Sequence, residues 1–252
     1  MVNNNVLSQT AAHSVIKQLG CFSVVEYMKD LSVSPATAQT AFFMSKMGVR
    51  KRQVVATLNG QGIILQAGAM QIMSGGVQMN TNVQGVGGFF RGLVGSAVTG
   101  ESAIKPRYFG TGQVIFEPTY KYILLEDLAK WNGAMTIEDG LFLACDDTVQ
   151  MHVTARSTIS SAVAGGEGLF NNTLTGSGIA VLESPAPAEE LLVFDLQNDT
   201  LKIDGNMAIA WSQTLQFTVE RSSRSLIGSA ASGEGLVNVY RGTGRVLVAP
   251  VG

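Results

Sequence analysis

Three glutamates stand in similar surroundings, Glu101 in "GES" and Glu167 and Glu234 in "GEG", and they are almost equally spaced along the chain. If they belong to copies of one unit, their carboxylates can converge on an approximate threefold axis and bind a cation. Ca²⁺ or Mg²⁺ suits such a site because both prefer oxygen ligands. In the other interpretation each glutamate accepts backbone N–H bonds and braces a tight turn. The sequence favours the turn, and these glutamates are its only candidate metal ligands.

A Gly-x-Gly step followed by an apolar run occurs four times in the chain. A phosphate-binding loop needs a helix directly after its glycines, whereas residues typical of strands follow here, as in "QVIF" and "RVLV". No Gly-Lys-Ser/Thr follows either. We predict structural turns in which glycine supplies a positive φ between two strands of a hairpin. The residues are Gly60, Gly62, Gly110, Gly112, Gly176, Gly178, Gly242 and Gly244.

The histidines and cysteines do not form a catalytic or metal-binding pattern. His13 and His152 lie in unrelated segments, and the alternation of "VQMHV" places His152 on the outward face of a strand. Cys21 and Cys145 are far apart and lack CxxC spacing, so we expect buried thiols rather than a disulfide or a zinc site. The sequence therefore predicts no catalytic residue, no cofactor and no enzymatic activity.

The charge balance argues against a polyanionic partner. The net charge is −2, so no nucleic acid is expected as a ligand. Charged residues make up 14% of the chain, against roughly 25% in typical domains, and 46% of the residues are hydrophobic. Such a composition favours a homo-oligomer, which buries part of its surface against copies of itself. The N-terminus resembles no targeting signal and no apolar run has membrane-spanning length, so a cytoplasmic location is expected.

Two local features suggest contacts rather than catalysis. The basic cluster Arg50–Arg52 is expected to be a solvated junction or a partner in ion pairs rather than a nucleic-acid patch. Phe89 and Phe90 lie in the glycine-rich stretch "GGFFRGLVG", which we expect to pack on the end of the β domain. Docking of that stretch onto a partner or a membrane surface is the other possibility.

The elements that must position these residues differ between the two parts of the chain. Residues 1–53 are predicted to be an N-terminal extension with a helix that has Ser34 as N-cap, Pro35 at its first position and Gly48 as its stop. The earlier stretch "CFSVVEYMKDL" fits a helix or a strand equally. From residue 54 to residue 252, short apolar runs with alternation and frequent glycine indicate a single all-β domain.

The β domain shows internal similarity. The four Gly-x-Gly steps begin at positions 60, 110, 176 and 242, so the last two intervals are equal and the first is shorter. Residues 137–153 align without gaps on residues 203–219 with five of seventeen identical, at that same longer interval. We predict three repeats, at about 54–108, 109–174 and 175–252, with the first a trimmed copy. Three such units can close into a pseudo-threefold barrel or sandwich with few free edges.

The succession "QAGAMQIMSGGV", "VTGESAI", "DGLFLA", "GGEGLF", "GTGRVLVAP" resembles a family named after altered inheritance of mitochondria, over residues 54–250. The resemblance implies a TRAP-like variant of the double-stranded β-helix with three repeats. Mitochondrial members are linked to inner-membrane organisation and respiratory-complex assembly, and the resemblance supplies no catalytic residues. RNA binding is not implied, because Lys105 and Arg107 have no basic counterparts at Asn171 and Thr173.

These observations predict a non-enzymatic scaffold or binding protein that associates with itself and has an unidentified protein partner. One alternative is a small-molecule or metal-ion binding module that uses the barrel interior, although such relatives place two histidines and a carboxylate there. A further alternative is a peripheral membrane-associated assembly factor that docks through Phe89 and Phe90.

Overall fold

The structure is a computed structural model that describes residues 2–29, 32–81, 105–155, 170–221 and 236–250. Within these residues the chain is mostly β, with fifteen strands and one α-helix, which confirms the predicted class. The strands are β1 His13–Leu19, β2 Phe22–Tyr27, β3 Arg52–Leu65, β4 Met70–Asn80, β5 Arg107–Phe116, β6 Tyr122–Asp127, β7 Ala134–Ile137, β8 Phe142–Asp146, β9 Val149–Ala155, β10 Phe170–Gly176, β11 Ile179–Ser184, β12 Leu192–Asp204, β13 Ala208–Ser212, β14 Gln216–Arg221 and β15 Leu236–Val248. The helix α1 is Ala38–Lys46, and 3₁₀ turns cover Leu128–Trp131 and Ala188–Glu190.

The strands form two antiparallel sheets. The larger has the order β1-β2-β3-β8-β11-β6, with β5 beside β3 and β4 beside β5. The smaller has the order β12-β15-β13-β7-β10-β9, with β14 also beside β15. Consecutive strands β10 and β11 therefore belong to different sheets, and only the bend at residues 177–178 separates them.

Three groups of strands share one arrangement, in which the last strand in sequence lies in the middle. These central strands are β5 between β3 and β4, β10–β11 between β6–β7 and β8–β9, and β15 between β12 and β13–β14. Tyr108 pairs with Ile63 and Met79, Leu174 with Met135 and Met151, and Tyr240 with Leu201 and Phe217. Each set joins apolar neighbours across strands, the contacts that stabilise a sheet.

The apolar core lies on both faces of the middle group. Val181 of β11 packs with Phe116 and the first group. The next residue, Leu182, points to the opposite face and packs with Leu247 of the third group. Because successive residues of a strand point to opposite faces, a strand that is buried on both sides reads as a continuous apolar run. The run "IAVL" in β11 has this character.

The Gly-x-Gly steps do not form hairpin turns, which corrects the prediction. Gly60 and Gly62 lie inside β3, Gly110 and Gly112 inside β5, and Gly242 and Gly244 inside β15, while Gly176 ends β10 and Gly178 precedes β11. The predicted positive φ is present at six of the eight glycines, as at Gly112 with 150°, and is wrong for Gly62 and Gly244. It serves close packing of strands, because a Cβ on Gly112 would collide with the carbonyl oxygen of Ser74 in β4. The strand register shifts where Gly60 and Gly62 lie in β3. These two glycines lie alongside the Gly110–Gly112 step of β5 and are not its counterpart in another group.

The N-terminal segment contains more strand than predicted. The stretch that fitted a helix or a strand forms β2, and β2 pairs with the first half of β3 from Phe22 opposite Ala56 to Glu26 opposite Arg52. Val25 of β2 also packs against Val55 and Ile115 on the outer face of the sheet. The extension is therefore continuous with the larger sheet.

Helix α1 is present as predicted but lies free of the core. Its predicted start was wrong, because Thr37 rather than Ser34 is the N-cap and Pro35 lies in the turn at residues 35–37 before the first helical residue, Ala38. Within that turn the hydroxyl of Ser34 accepts the N–H of Thr37 at 3.3 Å. Gly48, with φ +75°, follows its end as predicted. The helix buries none of its side chains, and Phe42 and Phe43 are 56% and 57% exposed.

Candidate interaction surface

Two short strand pairings, here called junctions, join the three groups. In the first, Ile63, Ile64 and Leu65 of β3 lie opposite Asp146, Cys145 and Ala144 of β8. In the second, Met135, Thr136 and Ile137 of β7 lie opposite Ser212, Trp211 and Ala210 of β13. The second junction repeats the first, with Met135 in the place of Ile63 and Ser212 in the place of Asp146. In both junctions, a strand from the side of its group that comes first in sequence (β3 or β7) pairs with a strand from the side that comes second in the next group (β8 or β13).

Both junctions are buried. Ala144 and Cys145 are fully buried in β8, as is Ala210 in β13, and Trp211 beside it is almost fully buried. The apolar side chains of β3 and β7 pack against the same clusters. A junction therefore removes apolar surface from water on both sides of the sheet, in addition to making backbone hydrogen bonds.

Strand β4 occupies the corresponding place in the first group but has no junction. Ile72 pairs with Ile115 of its central strand, as Ala144 pairs with Val181 and Ala210 with Leu247. Among the described residues β4 pairs with β5 alone. Ile72 is 49% exposed and Met73 is 43% exposed, although the equivalent residues of β8 and β13 are buried.

Strand β12 lacks a junction in the same way. Leu201 pairs with Tyr240 as Met135 pairs with Leu174, so Leu201–Ile203 correspond to residues 135–137 of β7. In the described part of the chain, β12 pairs only with β15. Its beginning also exposes three successive apolar side chains, those of residues 192–194. We call Ile72–Ser74 and Leu201–Ile203 the open edges.

Two equivalent side-chain hydrogen bonds fix the turns beside the glycine steps. The hydroxyl of Thr148 donates to the carbonyl oxygen of Ser177 at 2.6 Å. The hydroxyl of Thr214, the equivalent residue of the third group, donates to the carbonyl oxygen of Thr243 at 2.8 Å. These bonds tie the loop after β8 and the loop after β13 to their central strands in the same way.

Burial favours the neutral form of the titratable groups nearest the first junction. It is the main cause that raises the pKa of Asp146. Burial, followed by the neighbouring Asp146 charge, raises the pKa of Cys21 to about 12. Burial likewise raises the pKa of Cys145. Since a thiolate and not a thiol is the nucleophile, these shifts disfavour reaction of either cysteine at neutral pH. Cys145 is buried as predicted, Cys21 is half-buried, and neither is in a disulfide.

Comparison with known proteins identifies the relatives of this chain. Residues 45–251 match the family model described as mitochondrial biogenesis AIM24. The chain belongs to the AIM24 family. An uncharacterized protein of Streptococcus pyogenes serotype M6 is 30% identical over 198 residues, which are 75% of this chain and 77% of that protein. A crystal structure of a Streptococcus pyogenes protein has a TM-score of 0.57 and 25% identity, covering 81% of this chain and 89% of the other.

The AIM24 match confirms the resemblance inferred from the motifs, but several predicted residues of this member lie outside the described part. Glu101, Glu167 and Glu234 fall in the segments that join β4 to β5, β9 to β10 and β14 to β15. Their role in binding a cation or bracing a turn stays a prediction. Phe89 and Phe90 also lie outside the described residues. Within the described ranges, no three His, Cys, Asp or Glu side chains gather as metal ligands.

The other candidate residues of this AIM24 protein lie where the sequence predicted. His152 and Gln150 are exposed on β9, while Val149 is buried. Arg52 binds Glu26 at 2.8 Å, and Arg50 approaches the same carboxylate at 3.6 Å. The basic cluster therefore acts as an ion-pair partner where the N-terminal segment meets the sheet.

A surface groove of about 360 Å³ separates helix α1 from the larger sheet of this AIM24 protein. Its floor carries a chain of polar contacts in which the hydroxyl of Tyr27 donates to Gln53 at 2.6 Å and the amide of Gln53 donates to Gln71 at 2.7 Å. Among the described helices, none is long and apolar enough to span a membrane.

Sequence reasoning missed the open edges of this AIM24 protein. A signal was present in the alignment of "IMSGG" in β4 with "ACDDT" and "AWSQT" near β8 and β13. It places Ile72 at a position that is alanine in both later groups, Ala144 and Ala210. A larger side chain at the position that is closely packed elsewhere indicates a different environment.

Proposed function

We propose that this AIM24-family protein is a non-enzymatic scaffold that associates with copies of itself. The observation that carries the proposal is the pair of open edges: Ile72 and Met73 of β4 are exposed although the equivalent residues of the other groups are buried, and β12 pairs only with β15 among the described residues. An exposed, uncharged strand edge is a template for pairing with another chain. The low share of charged residues, 14%, agrees with a surface that is partly covered in the assembled protein.

We further propose that the scaffold is a three-repeat fold of the TRAP-like, double-stranded β-helix kind. The matching registers of the three central strands support three copies of one unit, and the paired threonine bonds support the equivalence of the second and third copies. Asn132 and Asn198, the non-glycine residues with positive φ in the described chain, have φ of 55° and 53° and are separated by the same interval as the later Gly-x-Gly steps. Units of residues 52–116, 122–184 and 192–248 keep each group of strands together.

Buried aromatic side chains support the scaffold over the alternative of a binding module inside the barrel. Phe116 and Tyr240 are among the largest fully buried side chains of the described residues, and both lie in apolar clusters. Two cavities of the described part, of about 360 and 200 Å³, both lie at the surface. Small-molecule sites are usually concave and enclose most of their ligand.

Sedimentation velocity of the purified full chain over a range of concentrations tests self-association. We expect a species at a multiple of the protomer mass that dissociates on dilution. A sedimentation coefficient that remains that of the protomer at every concentration would contradict the proposal. Because an enzyme can also assemble, the non-enzymatic part of the proposal needs a separate measurement, a substrate-class activity screen in which we expect no turnover.

Helix α1 favours a second candidate function, a peripheral membrane contact. Phe42, Phe43 and Met47 are exposed beside Lys46, a combination of apolar and basic side chains typical of interfacial helices. We expect the full chain to sediment with phosphatidylserine-containing liposomes, and Phe42→Ser plus Phe43→Ser to abolish sedimentation. Ile16→Ser, at an exposed position of β1, is the matched control and should still sediment. Unchanged sedimentation of the double variant would exclude α1 as the contact.

A further inference from the structure

The two open edges are complementary to each other. In each junction, the strand on the first side of one group's central strand (β3 or β7) pairs with the strand on the second side in the next group (β8 or β13). The first and second groups supply β3 and β7, and the second and third groups supply β8 and β13. Among the described residues, β12 corresponds to β3 and β7, and β4 corresponds to β8 and β13, but neither β12 nor β4 takes part in a junction. A third junction of the same kind therefore has both of its strands available.

From this we infer that β12 of one copy pairs antiparallel with β4 of a second copy, with Leu201–Ile203 opposite Ile72–Ser74. The inference rests on the proposed self-association and names its surface. The register follows from the two existing junctions. Ile63 lies opposite Asp146 and Met135 lies opposite Ser212, and the equivalent residues of the open edges are Leu201 and Ser74. The same displacement places Lys202 opposite Met73 and Ile203 opposite Ile72.

The partner is a second copy because one chain does not make this contact itself. Ile72 and Met73 are exposed to solvent in the folded protomer, so β12 of the same chain does not cover them. A contact between two different surfaces of identical chains is heterologous, and it builds a ring if the rotation closes or a filament if it does not. Each added copy covers one β4 edge and leaves one β12 edge open until closure.

The chemistry of the edges permits this pairing. Strand β4 has no charged residue and no proline along its whole length, although sheet edges usually carry such residues to prevent pairing. Ile203 is buried within the protomer, and the pairing would place the exposed Ile72 beside it, an aliphatic pair of the type that stabilises neighbouring strands. Lys202 can cover Met73 with its aliphatic chain and keep its ammonium group in water. No like charges face each other in this register.

Cysteine pairing tests the register directly. Met73→Cys and Lys202→Cys are placed in separate chains, purified, mixed and oxidised, and disulfide-linked species are separated on a non-reducing gel. Burial raises the pKa of both native thiols, which lowers their background in this assay. We expect a linked dimer in the mixture and much less in either variant alone. Met79→Cys, at another exposed position of β4, is the off-register control and should not link to Lys202→Cys.

A second measurement covers the strength of the contact. Met73→Lys should weaken association by more than about tenfold in sedimentation, because the new charge must lose its hydration at the edge. Met79→Lys should leave association unchanged. Circular dichroism and melting curves establish that both variants fold.

The outcomes separate this inference from the proposed function. An oligomer that forms no Met73–Lys202 link and is indifferent to Met73→Lys would overturn the inference and leave self-association standing. A chain that is a monomer at every concentration would overturn both. If the double variant Met73→Cys/Lys202→Cys links only within one chain, the third junction closes inside the protomer and the inference is wrong.

Discussion

Strands β8 and β4 lie beside corresponding central strands but differ in what covers their other side. β3 covers β8, so its Ala144 and Cys145 are fully buried, whereas Ile72 and Met73 of β4 are exposed. The exposed strand has the larger apolar side chains. Composition alone would place these residues in a core, so the difference shows that strand order decides which apolar residues remain available for an interface.

The largest expected difference in unfolding free energy is between a variant in a closed junction and a variant at an open edge. Ile137→Ala removes a fully buried side chain opposite Ala210 and should lower the free energy of unfolding by about 2–5 kcal/mol. Ile72→Ala should change it by less than about 0.5 kcal/mol at low protein concentration, where protomers dominate. Urea unfolding measures both. Equal losses for the two variants would show that β4 is covered within the protomer.

The glycines beside β4 and β8 provide a sharper contrast. Gly112 and Gly178 both have positive φ, but a Cβ on Gly112 meets backbone of β4, whereas one on Gly178 meets the side chains of Asp146 and Thr148 at 3.0 Å. Side chains can move aside and backbone cannot. We therefore expect Gly112→Ala to destabilise the protein by at least about 1 kcal/mol more than Gly178→Ala. Thermal unfolding of the two variants checks this order, and the reverse order would contradict the close approach of β4 and β5.

A smaller effect tests whether the second and third groups are equivalent. Thr148→Val and Thr214→Val each remove one side-chain hydrogen bond to a central strand and should each cost about 1 kcal/mol. β4 has Gly76 in the corresponding place and cannot make this bond. Denaturation midpoints of the two variants should agree. A large disparity would mean that the two turns are not copies of one design.

The last prediction concerns the direction in which stability changes with pH. Because burial raises the pKa of Asp146 above its ordinary 3.8, the unfolded chain loses this proton at lower pH than the folded protein. The stability that this group contributes is present at low pH and is lost as the pH rises from 3.8 through the folded pKa. Asp146→Ser places in β8 the residue that β4 has at Ser74, and it removes this loss. The stability of the wild type relative to the variant, measured by urea unfolding at several pH values, should fall across that window. A difference that rises with pH would refute the burial argument.

Much of the architecture could be predicted from local sequence. Alternation and glycine frequency indicated the β class, the signals around Ser34 and Gly48 indicated α1, and the interval between the later Gly-x-Gly steps recurs in the strand registers. The position of the glycines was wrong because a hairpin turn and a bend inside a long strand both need positive φ, and sequence does not distinguish them. β2 could not be assigned locally because its pairing with β3 decides its structure.

The candidate surface was the least predictable part. His152 and the Arg50–Arg52 cluster were judged correctly because strand alternation and local charge suffice for them. The open edges escaped because exposure there depends on which distant strand lies alongside. Ile72 looks like an ordinary core residue until β4 is seen to lack the neighbour that β8 has, whereas Ile203 is buried even though β12 lacks the neighbour that β7 has.

The bend between β10 and β11 has a consequence for how the molecule unfolds. One continuous stretch of the middle group contributes a strand to each sheet, so this stretch couples the unfolding of one sheet to that of the other. The packing of β11 on both faces strengthens this link, because Val181 and Leu182 belong to different clusters. Calorimetry should therefore record one cooperative transition, rather than stepwise melting of three separable units as in an open solenoid.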